Sequence, residues 1–280
     1  MFINFNGKLI NENQVIMSPK NRAFRYGDGI FESIKVADRN IINADSHFDR
    51  VLHSCKVLKI ILSKSFTQDF FCNEIIKLLE ANKHIKSARL RFSIFRNDDG
   101  FYKPANNNMS YLIESFTLEE QPFTINKTGL HMALYNEIRK DYSVLSGIKS
   151  CNALIYVMAS IYASENRYDD CLLLNSKNQI VEATSSNVFI VKNKTLITPP
   201  LSDGCVDGTM RKLIIKIAGQ SNIRVIEKSI KTEEVLSAEE LFLTNAVSGI
   251  KWVKSFQSTT YASKKSGILL KKLNESCKLC

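Results

Sequence analysis

Short strand-like segments recur through both halves of the chain and restrict its fold more than any other feature. From Ser87 to Arg96, apolar and polar residues alternate with the period of two that places one face of a strand in a core, and Ile30, Glu32, Ile34 and Val36 follow the same spacing. The second half contains further short apolar runs separated by turn residues, at 171–174, 180–184, 187–191 and 195–198. Successive strands in both halves, together with a few helices, predict the α+β class.

Several stretches have the apolar spacing of helices. Residues 45–62 and 67–81 carry apolar side chains three and four positions apart, and Thr67 is a residue type that caps helix starts. In the first of these stretches the predicted core positions are Phe48, Val51, Leu52, Cys55, Leu58 and Ile61. A further helix is predicted after Asn152, with an apolar core stripe at Ala153, Tyr156, Val157 and Ile161.

A polar segment near the middle of the chain has the composition of a linker. Residues 117–123 contain Glu119-Glu120-Gln121-Pro122, which interrupts both the strand and the helix patterns. We therefore expect a small N-terminal α+β domain at residues 1–116, a linker at 117–123, and a large C-terminal α+β domain at 124–280.

Composition argues against a membrane protein. Hydrophobic residues make up 44% of the chain and charged residues 24%, the balance of a soluble globular protein. No apolar run reaches the length of about 18 residues that a membrane-spanning helix needs. The first ten residues also lack the basic segment and apolar run of a signal peptide. We expect a cytoplasmic protein with no membrane partner.

Charge and cysteine usage limit the other classes of partner. The formal net charge is +10, but the lysines are spread along the whole chain, whereas nucleic-acid-binding proteins concentrate positive charge on one face. We expect no nucleic-acid partner and instead a basic pocket for an anionic ligand. The seven cysteines are scattered, as free thiols are. Cys277 and Cys280 have the spacing of half a zinc site, but no second pair accompanies them, so no metal is expected.

Lys149 is the candidate for a reactive group. It lies in a turn, Leu145–Asn152, between a predicted strand at 129–135 and a predicted helix. A single lysine in a turn is usually a solvated surface residue, so a chemical role depends on partners elsewhere. Glu182 supplies one candidate, because a carboxylate in a nearly continuous apolar strand is costly unless it meets a positive group. That group is either a lysine or arginine of the chain or a cationic cofactor nitrogen.

Two further features suit a phosphate group. Asp207-Gly208-Thr209-Met210 opens a predicted helix, and the first N–H groups of a helix attract anions. Arg50 lies near the start of its own predicted helix, where a positive charge opposes the helix dipole unless it is exposed or an anion compensates it. A reactive lysine, a carboxylate and a phosphate site together are what pyridoxal phosphate requires.

Five short motifs, in register along nearly the whole chain, resemble those of the class IV family of pyridoxal phosphate enzymes, which have fold type IV. That family includes branched-chain aminotransferases, D-amino-acid aminotransferases and aminodeoxychorismate lyases. The motifs lie at residues 26–32, 47–50, 147–152, 182–189 and 208–211. The resemblance implies a two-domain fold like that of D-amino-acid aminotransferase, pyridoxal 5'-phosphate as cofactor, and a homodimer.

The resemblance also implies a role for each matching residue. Lys149, in the large domain, would bond covalently to the cofactor and later move the proton at the substrate Cα. Arg50 would bind the cofactor phosphate, and Glu182 would keep the pyridine nitrogen protonated, since a nearby carboxylate favours the charged form. The remaining cofactor-binding positions would be Ser186, Asn187, Thr209, Met210, Asn245 and Ala246, with the backbone of Thr209 and Met210 at the phosphate.

The substrate is less constrained by the motifs. Tyr26, Phe31 and Arg91 match pocket positions of L-branched-chain aminotransferases, in which an arginine can meet the side-chain carboxylate of glutamate, whereas D-amino-acid enzymes tend to have tyrosine at the place of Phe31. We therefore expect amino transfer between an amino acid, of branched-chain type, and a 2-oxo acid such as 2-oxoglutarate.

Two alternatives stay open. Residues 147–149 and 244–246 resemble the corresponding parts of 4-amino-4-deoxychorismate lyases, which release pyruvate and 4-aminobenzoate, although Glu32 replaces a threonine that is typical of those lyases. The chain could also be a pyridoxal phosphate-binding homologue without activity. The presence of Lys149, Glu182 and Arg50 argues against this last interpretation.

Overall fold

The computed structural model describes residues 1–14, 17–84, 86–119 and 122–278. The fold is α+β, as the strand pattern predicts, and the chain divides into two compact units. The first unit consists of Met1–Gln121 with Ile148–Asn152, and the second of Pro122–Gly147 with Ala153–Cys280. Each unit is built on its own β-sheet with helices packed against it.

The first unit contains a six-stranded antiparallel sheet with the strand order β2-β1-β6-β5-β3-β4. Its strands are β1 (Phe2–Phe5), β2 (Lys8–Asn11), β3 (Gly29–Ala37), β4 (Asn40–Ile41), β5 (Ser87–Arg96) and β6 (Met109–Thr117). Its helices are α1 (Arg22–Tyr26), α2 (Ala44–Leu58) and α3 (Gln68–Ala81). The apolar side chains of α2 and α3 pack with those of β3 and β5 in one core.

The helix predicted at 67–81 is confirmed, with Thr67 accepting a hydrogen bond from Phe70 N at 3.2 Å as its N-cap. The helix predicted at 45–62 is too long at its C-terminal end. It ends at Leu58 because Lys59 takes a left-handed conformation and Ile60 N donates back to Cys55 O. This turn places Ile60 in the core, whereas the predicted core positions Leu52 and Ile61 are exposed.

The second unit contains a ten-stranded mixed sheet with the order β12-β11-β10-β14-β15-β7-β8-β9-β13, and β16 pairs with β15. Its strands are β7 (Leu130–Tyr135), β8 (Asp170–Leu174), β9 (Gln179–Ala183), β10 (Asn187–Lys192), β11 (Thr195–Thr198), β12 (Val225–Glu227), β13 (Ile230–Lys231), β14 (Glu240–Asn245), β15 (Gly249–Phe256) and β16 (Thr259–Thr260). Its helices are α4 (Leu154–Glu165), α5 (Thr209–Gln220), α6 (Thr232–Leu236) and α7 (Lys264–Ser276).

Helix α4 is oriented differently from the prediction. Ala159 and Ala163 are the residues it buries, packing with Tyr135 and Cys171 of the sheet. The predicted core position Val157 is 49% exposed and Ile161 is 44% exposed. Because α4 is apolar around most of its circumference, periodicity alone could not select the face that meets the sheet.

The structure also differs in detail around the expected domain boundary. Strand β6 continues through Thr117, the first residue of the predicted linker, and Glu120 and Gln121 lie outside the described residues. Lys149, expected with the C-terminal domain, belongs to a segment that packs with the first unit. Cys280 of the candidate zinc pair also lies outside the described residues. No helix in the described ranges has both the length and the apolar composition needed to cross a membrane.

Candidate functional site

Lys149 lies in a short segment that bonds to the start of strand β3. Phe31 N donates to Lys149 O at 3.0 Å, and Cys151 N donates to Gly29 O at 2.9 Å. These two backbone hydrogen bonds attach residues 149 and 151 of the segment to strand β3. The half-buried Lys149 is therefore fixed at its backbone by a strand, although the sequence placed it in a simple turn.

The bend ahead of β3 accommodates the same segment. Asn152 Nδ2 donates to Gly27 O at 3.1 Å, and Gly27 has a left-handed backbone with φ of 62°. A Cβ at Gly27 would lie 2.8 Å from Asn152 Oδ1, closer than packed side chains approach. The glycine at position 27 of the Gly-Asp-Gly bend therefore has two roles. It allows the turn, and it allows Asn152 to approach the backbone closely.

The ring of Phe31 contacts two cations of the predicted site. The Lys149 ammonium lies 4.5 Å from the ring centroid, and the Arg91 guanidinium carbon lies 3.7 Å from it. Both distances are in the range of cation–π attraction. Arg91 Nε is also 4.0 Å from Glu114 Oε2, its neighbour across strands β5 and β6. The structure therefore brings Lys149, Phe31 and Arg91 together around one aromatic ring.

Tyr26 belongs to a different set of contacts. It is the last residue of α1, and its ring lies 5.5 Å from that of Tyr102 and 5.0 Å from the Arg22 guanidinium carbon. Arg22 Nε in turn donates to Asp28 at 2.8 Å. The described contacts thus link Tyr26 to the loop that carries Tyr102.

Arg50 is paired with an anion of the chain itself. It lies in the second turn of α2, and its Nε donates to Glu32 Oε1 at 2.8 Å. Its second guanidinium nitrogen and His47 Nδ1 contact Glu32 Oε2, the latter at 2.6 Å. Burial by itself would raise the pKa of Glu32, but the charge of Arg50 and the hydrogen bond from His47 hold it at about 2.

Glu182 lies on β9 in the second unit and is 3% exposed. Its Oε1 accepts from the Tyr156 hydroxyl at 2.7 Å and lies 2.9 Å from the Lys140 ammonium. Its Oε2 accepts from Val206 N at 3.0 Å. Of the two explanations that the sequence leaves open for this carboxylate, the lysine of the chain is therefore present. A carboxylate has about four acceptor positions, so one remains for a further donor.

The N-terminus of α5 forms a cradle of small and polar groups. Gly208 is its N-cap, and Thr209 and Met210 lie in its first turn, where the N–H groups point out of the end of the helix. A Cβ at Gly208 would lie only 1.8 Å from Asn187 Oδ1, so only glycine fits. Asn187 itself is fixed by a bond from its Nδ2 to Val206 O at 2.9 Å.

The end of β14 adds further polar groups in the same unit. Thr244 pairs with Asn187 across the strands, so the two side chains share a face of the sheet. The Thr244 hydroxyl is buried and has no hydrogen-bond partner among the residues that the structure describes. Asn245 Nδ2 donates to Ser186 Oγ at 3.0 Å, and Ala246 follows in the loop.

These groups fit pyridoxal phosphate chemically. Buried hydroxyl groups are normally hydrogen-bonded, and that of Thr244 is not bonded to any described residue. A phosphate oxygen would supply the missing partner. The α5 N-terminus offers N–H donors to the same anion. Glu182, in the same unit, has the capacity to accept a hydrogen bond from a ring N–H, and the first unit carries Lys149, an amine of the type that the cofactor aldehyde requires.

Several contributing residues were missed or undervalued in the sequence. The sequence predicts Glu32 in a strand and in the first motif but assigns it no partner, yet it shares the face of Ile30 and Ile34, and a charge on an apolar face indicates a buried partner. The apolar stripe predicts Tyr156 as a core residue, and the hydroxyl of a buried tyrosine requires a hydrogen bond, which Glu182 accepts here. Lys140 and Glu114 gave no local signal, because their partners come from other elements.

The chain is similar to known proteins along nearly its whole length. Residues 29–256 match the family model described as amino-transferase class IV. The chain is 29% identical over 279 residues to a putative branched-chain-amino-acid aminotransferase of Methanocaldococcus jannaschii, covering 99% of this chain and 96% of that one. It is 23% identical to the D-alanine aminotransferase of Bacillus licheniformis, in an alignment that covers 97% of this chain and 94% of that protein. It is 24% identical to the aminodeoxychorismate lyase of Bacillus subtilis, with 92% and 87% covered.

Solved structures show the same fold. The branched-chain aminotransferase of Thermoproteus uzoniensis, solved with norvaline, superimposes with a TM-score of 0.88 at 23% identity and covers 99% of this chain and 93% of that one. The branched-chain amino acid aminotransferase of Thermobaculum terrenum, solved in its pyridoxal phosphate form, has a TM-score of 0.86 at 22% identity, with 99% and 93% covered.

The buried Glu32 carboxylate predicts a specific dependence of stability on pH. Because its pKa of about 2 lies below the usual 4.5, the ionised form stabilises the native state above pH 4.5, and this contribution is lost as the pH falls toward 2. The loss between pH 6 and pH 3 should amount to about 2 kcal/mol. Urea unfolding followed by circular dichroism at the two pH values measures it.

Glu32→Gln provides the control for this measurement. The variant should be less stable at pH 6, because Arg50 loses its anion, but its stability should fall by about 2 kcal/mol less than that of the wild type on acidification. Equal losses in the two proteins would show that Glu32 does not carry the effect.

Proposed function

We propose that this chain, which belongs to the amino-transferase class IV family, exchanges an amino group between a branched-chain-type amino acid and a 2-oxo acid such as 2-oxoglutarate. The observation that carries the proposal is the cluster of Lys149, Phe31 and Arg91. An amine beside an aromatic ring suits an apolar substrate side chain, and an arginine on the same ring suits an acidic one. A transaminase must accept both in alternation.

We propose pyridoxal 5'-phosphate as the cofactor, since enzymes of this family use it. When bound, it would supply an electron sink for the substrate Cα. Thr209 and Met210 at the start of α5, with Ser186, Asn187, Asn245 and Ala246, would hold its phosphate end. Arg50 would add a positive charge, and its bond to Glu32 would keep the guanidinium in one orientation. Glu182 would accept the hydrogen bond of the ring nitrogen.

Lys149 would carry the proton. Its amine would hold the cofactor at the aldehyde carbon and, as a free base, would remove the Cα proton of the substrate and return it elsewhere. The backbone bond from Phe31 N to Lys149 O supports this role, because it fixes the point from which the side chain reaches.

Arg91 would distinguish the two substrates. Its guanidinium lies against Phe31 and within 4.0 Å of the Glu114 carboxylate, so its charge is partly compensated in the absence of a substrate carboxylate. This arrangement supports the entry of an apolar side chain beside Arg91, since the arginine keeps a partner. A substrate with a second carboxylate would take up the same charge directly.

The lyase reaction is the second candidate. It is supported by the loop after β14, in which Asn245 bonds to Ser186 and Ala246 offers no hydroxyl to a phosphate, and by the similarity to the Bacillus subtilis lyase. A panel of amino acids, 2-oxo acids and aminodeoxychorismate decides between the reactions. Pyruvate release from aminodeoxychorismate without amino transfer would favour the lyase, and inactivity toward all of them would favour a homologue without activity.

We also propose that two copies of this chain form a homodimer through helix α4. Its residues Leu154, Val157, Met158 and Ile161 are all exposed, and their spacing of three and four places them on one face. An unpartnered apolar stripe of this kind is typical of a surface buried in an assembly. A second copy is the occupant we propose, because the stripe carries no charge that would select a different, charged partner.

Lys149→Ala should lose the covalent bond to the cofactor and lower turnover by at least about 100-fold, because both the anchor and the proton carrier are removed. Borohydride reduction of the wild-type holoenzyme followed by peptide mapping should place the label on Lys149. Lys177→Ala, at an exposed lysine in the same chain, is the control and should behave as the wild type. A label on another lysine would contradict the assignment.

Arg91→Met should impair the half-reaction with glutamate by about 2–4 kcal/mol in transition-state free energy, the range for losing one partner of a charge pair, and leave that with leucine nearly unchanged. Single-turnover rates with the two amino acids measure both effects. Arg89→Met, which removes an exposed arginine from the same strand, is the matched control. Equal losses on glutamate and leucine would exclude Arg91 from substrate selection.

Val157→Glu should convert the dimer into monomers, because a charge in a buried apolar interface would be left without a partner. Light scattering during size-exclusion chromatography measures the mass. Asn166→Glu, which adds the same charge at the exposed C-cap of α4 and outside the stripe, should remain dimeric. A monomeric wild type, or a Val157→Glu protein that stays dimeric, would rule out this interface.

A further inference from the structure

The two oxygens of the buried Glu182 carboxylate have different numbers of hydrogen-bond and ion-pair partners. Oε1 accepts from the Tyr156 hydroxyl at 2.7 Å and meets the Lys140 ammonium at 2.9 Å, so both of its acceptor positions are used. Among the residues that the structure describes, Oε2 accepts from Val206 N alone, at 3.0 Å. One acceptor position therefore remains, and it is on Oε2.

Lys140 is held where it is by more than its charge. Its ammonium also donates to the carbonyl oxygens of Gly204 and Ser146, and its side chain is only 11% exposed. Three acceptors therefore satisfy the three N–H groups of the ammonium. A lysine fixed in this way cannot move away from Glu182 without leaving several buried groups unpaired, so its charge acts on the carboxylate at all times.

The other titratable groups around Glu182 stay in one protonation state near neutral pH. Burial and the charge of Glu182 raise the pKa of the Tyr156 hydroxyl, so the hydroxyl keeps its proton and donates. The same two causes raise the pKa of the Cys205 thiol to about 12. Asp207 and Arg211 are the remaining charged groups that act on Cys205, and they carry opposite charges. Lys140 is therefore the cation in direct contact with Glu182.

We propose that Lys140 and Tyr156 are positioning residues for Glu182: they occupy one oxygen of its carboxylate, direct the other toward the ring nitrogen of the cofactor, and set how firmly that nitrogen holds its proton. This inference rests on the proposed function, because it assigns to the ring nitrogen the acceptor position that remains. A lone buried carboxylate would hold the proton more firmly than one whose charge a fixed lysine largely balances.

The consequence is a ring nitrogen whose protonation can be shifted by residues that do not touch it. Removal of the Lys140 charge leaves the carboxylate balanced by the ring nitrogen alone, so the protonated ring becomes more favourable. The pH at which the ring nitrogen loses its proton should rise by about 1–2 units, the effect of one charge a few ångströms away. Removal of the Tyr156 hydroxyl should act in the same direction and less strongly, since it removes a hydrogen bond without a charge.

The test measures the ring nitrogen directly. The holoenzyme is prepared with pyridoxal 5'-phosphate labelled with nitrogen-15 in the ring, and the chemical shift of that nitrogen is followed by NMR from pH 6 to pH 10. Lys140→Met and Tyr156→Phe should both move the titration to higher pH. Lys140→Arg, which keeps the charge, should restore the wild-type titration. Lys228→Met, which breaks the exposed ion pair with Glu234 in the same unit, should leave it unchanged.

The outcomes separate this inference from the proposed function. A wild-type protein that retains no labelled cofactor would overturn both. Retention of the cofactor with the same titration in Lys140→Met as in the wild type would overturn the positioning role alone, and so would a wild-type nitrogen that stays fully protonated to pH 10. If Lys140→Met fails to fold, Tyr156→Phe decides, because it leaves the contacts of Lys140 with Gly204 and Ser146 in place. A downward or absent shift in that variant contradicts the proposal.

Discussion

The buried ion pair between Glu32 and Arg50 connects the sheet of the first unit to helix α2. Glu32 is one residue from Phe31, whose N–H bonds to Lys149 O and whose ring meets both Lys149 and Arg91. If the carboxylate lost its partners, the strand would carry an uncompensated charge into the core, at a cost larger than most single contacts contribute. The backbone of Lys149 is therefore bonded to a strand whose next residue belongs to this buried ion pair.

A second buried carboxylate, Glu182, follows the same rule in the second unit. It is compensated by Lys140, and its oxygens are oriented by Tyr156 and Val206. The sequence raised two explanations for this carboxylate as alternatives, a lysine of the chain or a cationic cofactor nitrogen. The contacts make them compatible, because a carboxylate can accept more hydrogen bonds than the chain supplies here. Compensation by a lysine of the chain thus leaves Glu182 able to accept a further hydrogen bond from a ligand.

Helix α4 has apolar residues both on the side that packs on the sheet and on the side that is exposed. Its small residues, Ala159 and Ala163, allow close packing on the sheet, while larger apolar residues such as Leu154 and Ile161 lie on exposed positions. A helix whose opposite side faced only water would normally be polar there. The placement of small residues inward and large ones outward is therefore informative about assembly, and it became visible only when the packing was known.

The sequence by itself determined the α+β class, the extent of strand β5 and helix α3, and the family, because these depend on local periodicity, capping and short motifs that are written in consecutive residues. It also marked Lys149, Glu182 and the α5 N-terminus as candidates, because all three lie in or beside the short motifs and Glu182 is a carboxylate in an apolar strand. Only the tertiary structure decided which charges meet. Arg50 with Glu32, Lys140 with Glu182 and Arg91 with Glu114 are separated by 18 or more residues, and no local pattern couples them. The partner of a buried charge is set by how sheets and helices pack, and packing is a property of the whole chain.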